Sequence, residues 1–296
     1  YPAPQSPREG PPALVVTPLI NRFRIVDLDP EGSLVGGLTA RGVPVHVADW
    51  GAPRRIDAGL DFEDYVLDFL PGMLDALETE QVDLVGYCLG GTLAALFAAR
   101  FPARVRRLVA INAPVAFGDW PHMDLFRAWT KPEHFPLAAL VRAHGNMPGA
   151  LILQGFLNTQ PVASATKWAH LGERMHDADF AARSFALESW NLDSVDVPGR
   201  LYRRLIEDLY RDDLLAQGRF ELAGQAVDLG RIDCPLLVVS SRSDTTCPPE
   251  AARALLELAS SERKELLELR GGHVLSVVGP RAPKTLHGAL AAWLSD

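Results

Sequence analysis

Val82-Asp83-Leu84-Val85-Gly86-Tyr87-Cys88-Leu89-Gly90-Gly91-Thr92 runs a short apolar segment straight into a cysteine flanked by glycines. Residues 82–86 have the apolar, β-branched look of a buried parallel strand, and residues 91–101 that of a small-residue helix. A G-x-C-x-G between strand and helix has the setting of the nucleophile elbow, G-x-S-x-G, with Cys in place of Ser. Glycines two residues to either side let strand and helix pass close together while the middle residue takes a strained conformation. The positive end of the helix dipole then faces the sulfur and favours the thiolate. A buried structural cysteine in a tight turn is the alternative, and the position between strand and helix argues against it.

Working outward, the same alternation continues on both sides. Residues 13–18 (ALVVTP), 44–50 (PVHVADW), 105–111, 235–240 (PLLVVS) and 264–269 read as further strands. Residues 33–41, 62–77, 250–259 and 283–294 read as helices, the first closed by Gly42 in a left-handed cap position. Alternating strands and helices predict a mostly parallel sheet wrapped by helices. With the elbow, the fold class expected is the α/β-hydrolase fold.

Between the fourth and fifth strands the rhythm breaks. From 115 to 230 the sequence is helical and aromatic, with Trp120, Phe126, Trp129, Phe135, Phe156, Trp168, Phe180, Phe185, Trp190, Tyr202, Tyr210 and Phe220. A stretch of that length is not a loop in a compact domain. The expected organisation is a core from 1–114 and 231–296, with a cap inserted over 115–230 whose aromatics form its own core.

The elbow orders its partners along the chain as nucleophile, acid, histidine. Asp244 follows the strand after the insertion, and His273, in Gly271-Gly272-His273, follows the next strand. Cys88, Asp244 and His273 are therefore the expected catalytic residues. The oxyanion hole needs two backbone N–H groups. One is expected from Leu89, after the nucleophile, and the other from the loop after the first strand, at Ile20 or Asn21. The remaining histidines have weaker claims: His46 as a packed strand residue, and His122, His134, His144, His170, His176 and His287 as surface residues. Cys234 reads as buried and inert, and Cys247, three residues past Asp244, as a candidate for the wall of the site.

Composition narrows the class. Hydrophobic residues make up 48% of the 296 and charged residues 22%, enough apolar material for a large core. The formal charge of −8 repels a phosphate backbone, so nucleic acid is not expected as a partner. No apolar run approaches the roughly 18 residues of a membrane span, and no signal peptide opens the chain. Three cysteines make no disulfide framework, so a cytoplasmic protein is expected. Neither CxxC nor HExxH occurs, nor a phosphate-binding glycine loop, so no metal and no bound cofactor is expected. The chain opens at Tyr1 with a Pro-rich 1–12, and an N-terminal segment is expected to have been cut away or left out.

Other segments make the chain recognisable. Pro18-Leu19-Ile20-Asn21-Arg22, Ile25-Val26-Asp27-Leu28, Pro30-Glu31-Gly32-Ser33-Leu34-Val35, Ala48-Asp49-Trp50-Gly51 and Asp64-Tyr65 resemble polyhydroxyalkanoate synthases in order and spacing. So do 86–92 (GYCLGGT), Ala113-Pro114-Val115, Ser189-Trp190-Asn191-Leu192-Asp193, Val227-Asp228-Leu229 and Gly271-Gly272-His273. The resemblance covers nearly the whole chain, insertion included, and implies the same triad, Cys88, Asp244 and His273. Dienelactone hydrolases share the string GYCLGG, but they have no large insertion in the 156 residues that here separate Cys88 from Asp244. Two departures stand out: Val274-Leu275-Ser276-Val277-Val278 after the histidine, and an unusually serine-rich run, Ser240-Ser241-Arg242-Ser243, before Asp244. The resemblance is to one-domain synthases that work with a second subunit. It implies an (R)-3-hydroxyacyl-coenzyme A substrate, a growing polymer chain, a second synthase subunit or a homodimer as partner, and a place at polymer granules. Coenzyme A would be part of the substrate, and no resident cofactor is implied.

The chemistry suits a thiol. Thiolate attack on a thioester exchanges one thioester for another, so the acyl group stays activated for transfer to a hydroxyl. A serine would already hold it as an oxygen ester. Two other readings stand beside this one: a hydrolase with the same triad (depolymerase, thioesterase or dienelactone-hydrolase-like), and a non-catalytic granule-associated relative.

Overall fold

A computed structural model describes residues 7–118, 123–159, 166 and 171–296. The main sheet has six strands, all parallel, in the order β2-β1-β3-β4-β7-β8. They are β1 (Ala13–Val16), β2 (Val45–Val47), β3 (Val82–Tyr87), β4 (Val105–Ile111), β7 (Leu236–Ser241) and β8 (Lys264–Leu269), with a small hairpin of β5 (Glu221–Leu222) and β6 (Gln225–Ala226) outside the sheet. All six expected strands are present. β1, β3 and β7 were readable because parallel strands covered on both faces are near-continuous apolar runs, and they are buried throughout, whereas the edge strand β8 is mostly exposed and was readable from the alternation alone.

The chain leaves β1 for the edge strand β2 and returns on the other side of β1 as β3. The order reverses between β1 and β3, and in such sheets the crevice outside the carboxyl ends of those strands is where ligands bind. Cys88 and the loop 17–21 both sit at that end. Two apolar clusters cover the faces. One faces the fully buried helix α3 (Leu89–Arg100), and the other is closed by α1 (Leu34–Thr39) and the C-terminal helix.

The helices of the inserted segment stand between adjacent strands β4 and β7. Among the described residues, aromatics of the segment share the core of the sheet domain and do not form the separate core that the sequence reading expected. Phe117 and Phe220 are fully buried in the same cluster as α3, and Phe220 meets Phe62 edge-on at 5.3 Å. Phe156 and Phe185 are 40% and 53% exposed, so two of the expected core aromatics face outward. An aromatic signals an apolar surface without saying which neighbour covers it. Trp120 and Trp168 lie outside the described residues, as do His122 and His170.

Polar contacts tie the segment to the sheet domain. Buried Asp61 takes Arg200 at 3.0 Å and Arg204 at 3.3 Å, and the Arg204 guanidinium lies 4.5 Å over the Phe220 ring. Val195 N–H donates to Ile20 O at 3.2 Å, Asn21 pairs with Ser194, and Trp190 Nε1–H donates to Arg22 O at 2.9 Å. The loop after β1 is thus clasped from outside by the insertion.

One glycine brings the helix after the elbow hard against the first strand. A Cβ on Gly90 would stand 2.2 Å from Val16 O and 2.6 Å from the Thr17 carbonyl, both backbone atoms. Gly90→Ala should therefore cost about 2–4 kcal/mol in urea unfolding, through a clash that no side-chain rotation relieves. Gly72→Ala, on an exposed turn of α2 (Leu70–Ala76) with nothing within 4 Å of the new methyl, should instead gain about 1 kcal/mol.

Candidate active site

Cys88 follows β3 and caps α3, with φ 54° and ψ −130°. A non-glycine residue in that region costs about 1–3 kcal/mol and persists only where the surroundings over-determine it. Here they do. Its N–H donates to Ile111 O at 2.9 Å, and a Cβ on Gly86 would meet Gly91 Cα at 2.3 Å. The strand and helix are in contact across the turn, as the glycine spacing implied. Leu89 and Gly90 contribute the first N–H groups of the helix, which have no intrahelical carbonyl to reach. The loop after β1 runs beside this turn, so Leu89 and the Ile20–Asn21 peptide come to the same end of the sheet.

Asp244 and His273 arrive from the ends of β7 and β8. Ser243 N–H donates to Gly271 O at 3.0 Å, continuing the pairing of the two chains past the strands. Asp244 is buried, and its Oδ1 accepts from Thr246 N–H at 2.9 Å and Cys247 N–H at 2.8 Å. Its Oδ2 lies 2.6 Å from His273 Nδ1. The imidazole stacks on Tyr87, with ring centroids 5.3 Å apart at 28°. Burial by itself would lower the His273 pKa. The negative charge of Cys88 and the hydrogen bonds to Asp244 and Cys88 outweigh it and push the ring up to about 10. The three residues that the sequence placed 156 and 185 positions apart are thus electrostatically one group.

Other groups gather around them. Burial first, then the charges of Asp244 and Cys88, push the Cys247 thiol up, so Cys247 lies in the field of the site as a neutral, apolar-behaving wall residue. Tyr210, from the insertion, is likewise pushed up by burial and by Cys88, and its ring tilts against Phe117 at 4.8 Å. Nothing in the sequence distinguishes Tyr210 from the other aromatics of the insertion, because its nearness to Cys88 is purely tertiary. Cys234 is buried and its thiol is pushed up to about 12 by burial and Asp233, in line with an inert residue.

Among the histidines, His134, His144 and His176 are exposed and His46 is half-buried. His287 corrects the sequence reading. Expected at the surface, it is wholly buried, with Nε2 3.0 Å from Val277 O and Nδ1 without a partner among the described residues. Burial lowers its pKa and keeps it neutral. The terminal helix packs that face on α1, where a Cβ on Gly37 would come within 2.4 Å of Nδ1, so only the absence of a side chain at Gly37 makes room for the ring.

Comparisons place this geometry. A family model of the alpha/beta hydrolase fold matches residues 51–280. The chain is 33% identical over 290 residues to the poly(3-hydroxyalkanoate) polymerase subunit PhaC of Allochromatium vinosum, covering 96% of this chain and 81% of that one. It is also 33% identical over 290 residues to the subunit of the same name from Haloferax mediterranei, of which it spans 58%. The chain belongs to the poly(3-hydroxyalkanoate) polymerase family. That is a family of acyltransferases built on the α/β-hydrolase fold, and the resemblance read from the sequence is to this family. Among solved structures, a hydrolase from Pseudomonas aeruginosa PA01 superposes with a TM-score of 0.60 at 20% identity, covering 99% of this chain and 92% of that one. An alpha/beta hydrolase fold protein from Nakamurella multipartita gives 0.58 at 22%, covering 97% and 93%. At such identities these two speak for the fold alone. Among the described residues of this polymerase-family chain, no helix is long and apolar enough to cross a membrane.

The high His273 value depends on its partner. In Cys88→Ala the opposing charge and one hydrogen bond vanish while the burial remains. An NMR titration of the His273 ring should then place its midpoint well below about 10, whereas the wild type keeps the ring protonated through neutral pH.

Proposed function

We propose that this chain polymerises (R)-3-hydroxyacyl-coenzyme A thioesters through a covalent acyl group on Cys88. What carries the reading is the buried Asp244–His273 bond of 2.6 Å, whose ring is coupled to Cys88, in a chain of this family. The Cys88 thiolate attacks the thioester carbonyl. The developing oxyanion is held by Leu89 N–H and by an N–H from Ile20 or Asn21. Coenzyme A leaves as a thiolate and takes the proton from the His273 imidazolium. A 3-hydroxyl of a second substrate or of the growing chain then attacks the Cys88 thioester. His273 takes its proton, the oxygen ester forms, and the thiolate is restored. Asp244 orients His273 throughout and contributes to activating the incoming hydroxyl.

Water would divert the acyl-enzyme to free acid, so the site has to be dry. Buried Cys247 and Phe117, with the Tyr210 ring packed on Phe117, put apolar surface beside the site, which supports transfer over hydrolysis. The curated relatives are named as subunits, which supports a second synthase subunit or a second copy of the chain as partner, with the inserted helices opening when it binds.

Purified protein given 3-hydroxybutyryl-coenzyme A should release thiol and build polymer mass. Free acid as the main product would replace the polymerase reading with a hydrolase. Cys88→Ala should lose thiol release by on the order of 10³-fold without unfolding, and retention of a tenth of wild-type turnover would remove Cys88 from the chemistry. His273→Ala should lose comparably, and Asp244→Asn less in the acylation step, because orientation is partly replaceable. The lone chain should show a lag that shortens with protein concentration or added partner subunit. Full activity from the first seconds at every concentration would make the insertion a fixed wall.

A further inference from the structure

The main-chain carbonyl of His273 is held by three side chains. Asn112 Nδ2 donates to it at 3.0 Å, Tyr87 Oη at 3.3 Å and Ser276 Oγ at 3.4 Å. Asn112 and Ser276 are braced from behind by Ser241, whose Oγ lies 3.0 Å from Asn112 Oδ1 and 2.6 Å from Ser276 Oγ, its single proton serving one of them. All four residues are buried. They come from the end of β3, the residue after β4, the end of β7 and the short helix Leu275–Val278 that follows His273. Asn112 has a positive φ of 44°, with its N–H donating to Val239 O at 2.8 Å, so the backbone is strained where the amide must turn toward His273. The two departures noted in the sequence meet here. Ser241 supplies the serine run and Ser276 the altered stretch after the histidine. Neighbouring Ser240 is also buried, yet its hydroxyl has no partner among the described residues, so burial in this strand does not by itself recruit a hydroxyl into the network.

We infer that Asn112, Ser241 and Ser276 are positioning residues that hold the His273 main chain so that its ring stays in line between Asp244 and Cys88. The inference rests on His273 as the base of the proposed reaction. A ring held only through Nδ1 can still swing about that bond. Fixing the carbonyl removes the freedom, while Tyr87 supports the ring face. The same clamp serves both half-reactions, because the ring has to meet Sγ, the departing thiol and then the incoming hydroxyl without leaving Asp244. Buried hydroxyl and amide groups are costly when half-satisfied, so losing one member loosens the rest.

The test is the pH dependence of Cys88 alkylation by iodoacetamide, run alongside melting temperature and steady-state kinetics on the full chain. Asn112→Gly tolerates the positive φ and removes the side chain with its amide. Ser276→Ala removes one hydroxyl with minimal change in volume. Both should move the alkylation profile to higher pH, toward that of His273→Ala, with about tenfold slower alkylation at neutral pH. Both should lower kcat about tenfold with KM nearly unchanged. A purely structural role would lower the melting temperature and leave the profile of the folded protein where it was. If His273→Ala moves the profile and neither Asn112→Gly nor Ser276→Ala does, the positioning role is overturned and the base assignment stands. If His273→Ala leaves it unmoved, the base assignment falls, and the positioning role with it.

Discussion

The contact that the rest of the structure depends on is the passage of the first turn of α3 over the backbone of β1. Gly90 touches the Val16 and Thr17 carbonyls at distances that exclude any side chain. Gly91 lies so close to Ala113 that a Cβ there would be 2.3 Å from the alanine methyl. Three strands are thereby locked to one helix terminus. Cys88 cannot relax from its strained conformation without breaking that packing. The loop after β1 is carried to the helix N-terminus by the same contact, so Cys88, the Leu89 N–H and the Ile20–Asn21 peptide share one end of the sheet. A helix buried over nearly its full length supplies the apolar energy that holds the strain.

The polar part of the site is arranged so that few groups are left without partners. Asp244 loses water on burial and regains two backbone N–H groups and the imidazole. His273 is held at both ends, by Asp244 at the ring and by three side chains at the carbonyl. In a low-dielectric pocket such a network is stiff when complete. The inserted segment adds to the stiffness from outside, through the Ile20–Val195 hydrogen bond and the Asp61–Arg200–Arg204 cluster. An insertion that shares its core with the sheet domain ties the loop that carries Ile20 and Asn21 to the packing of the whole domain.

Part of this was open to a reader of the chain alone. All six strands of the sheet could be read: β1, β3 and β7 because a strand buried on both faces must be apolar along its length, and the mostly exposed edge strand β8 from its place in the alternation of strands and helices. The order Cys88, Asp244, His273 could be read as well, because connections in parallel sheets are restricted enough that chain order implies spatial neighbours. Other features could not be read. His287 looks like a surface residue in a terminal helix until the missing side chain at Gly37 makes room for it. Phe156 and Phe185 carry the same aromatic signal as Phe220, but only Phe220 has Phe62 opposite it.

What the sequence determined by itself, then, was the periodicity of burial, the glycine turn where helix could cross strand, and the chemical types at the strand ends. Those are local properties of residues and their spacing. What only the tertiary structure decided was which polar groups meet. Asn112, Ser241 and Ser276 are ordinary in their own segments and become a clamp on His273 because β4, β7 and β8 lie side by side. Tyr210 comes into the field of Cys88 because the insertion packs on the same core as the sheet domain. Hydrogen bonds between residues far apart in the chain leave no periodic trace in any one segment, since their geometry exists only after the strands have paired.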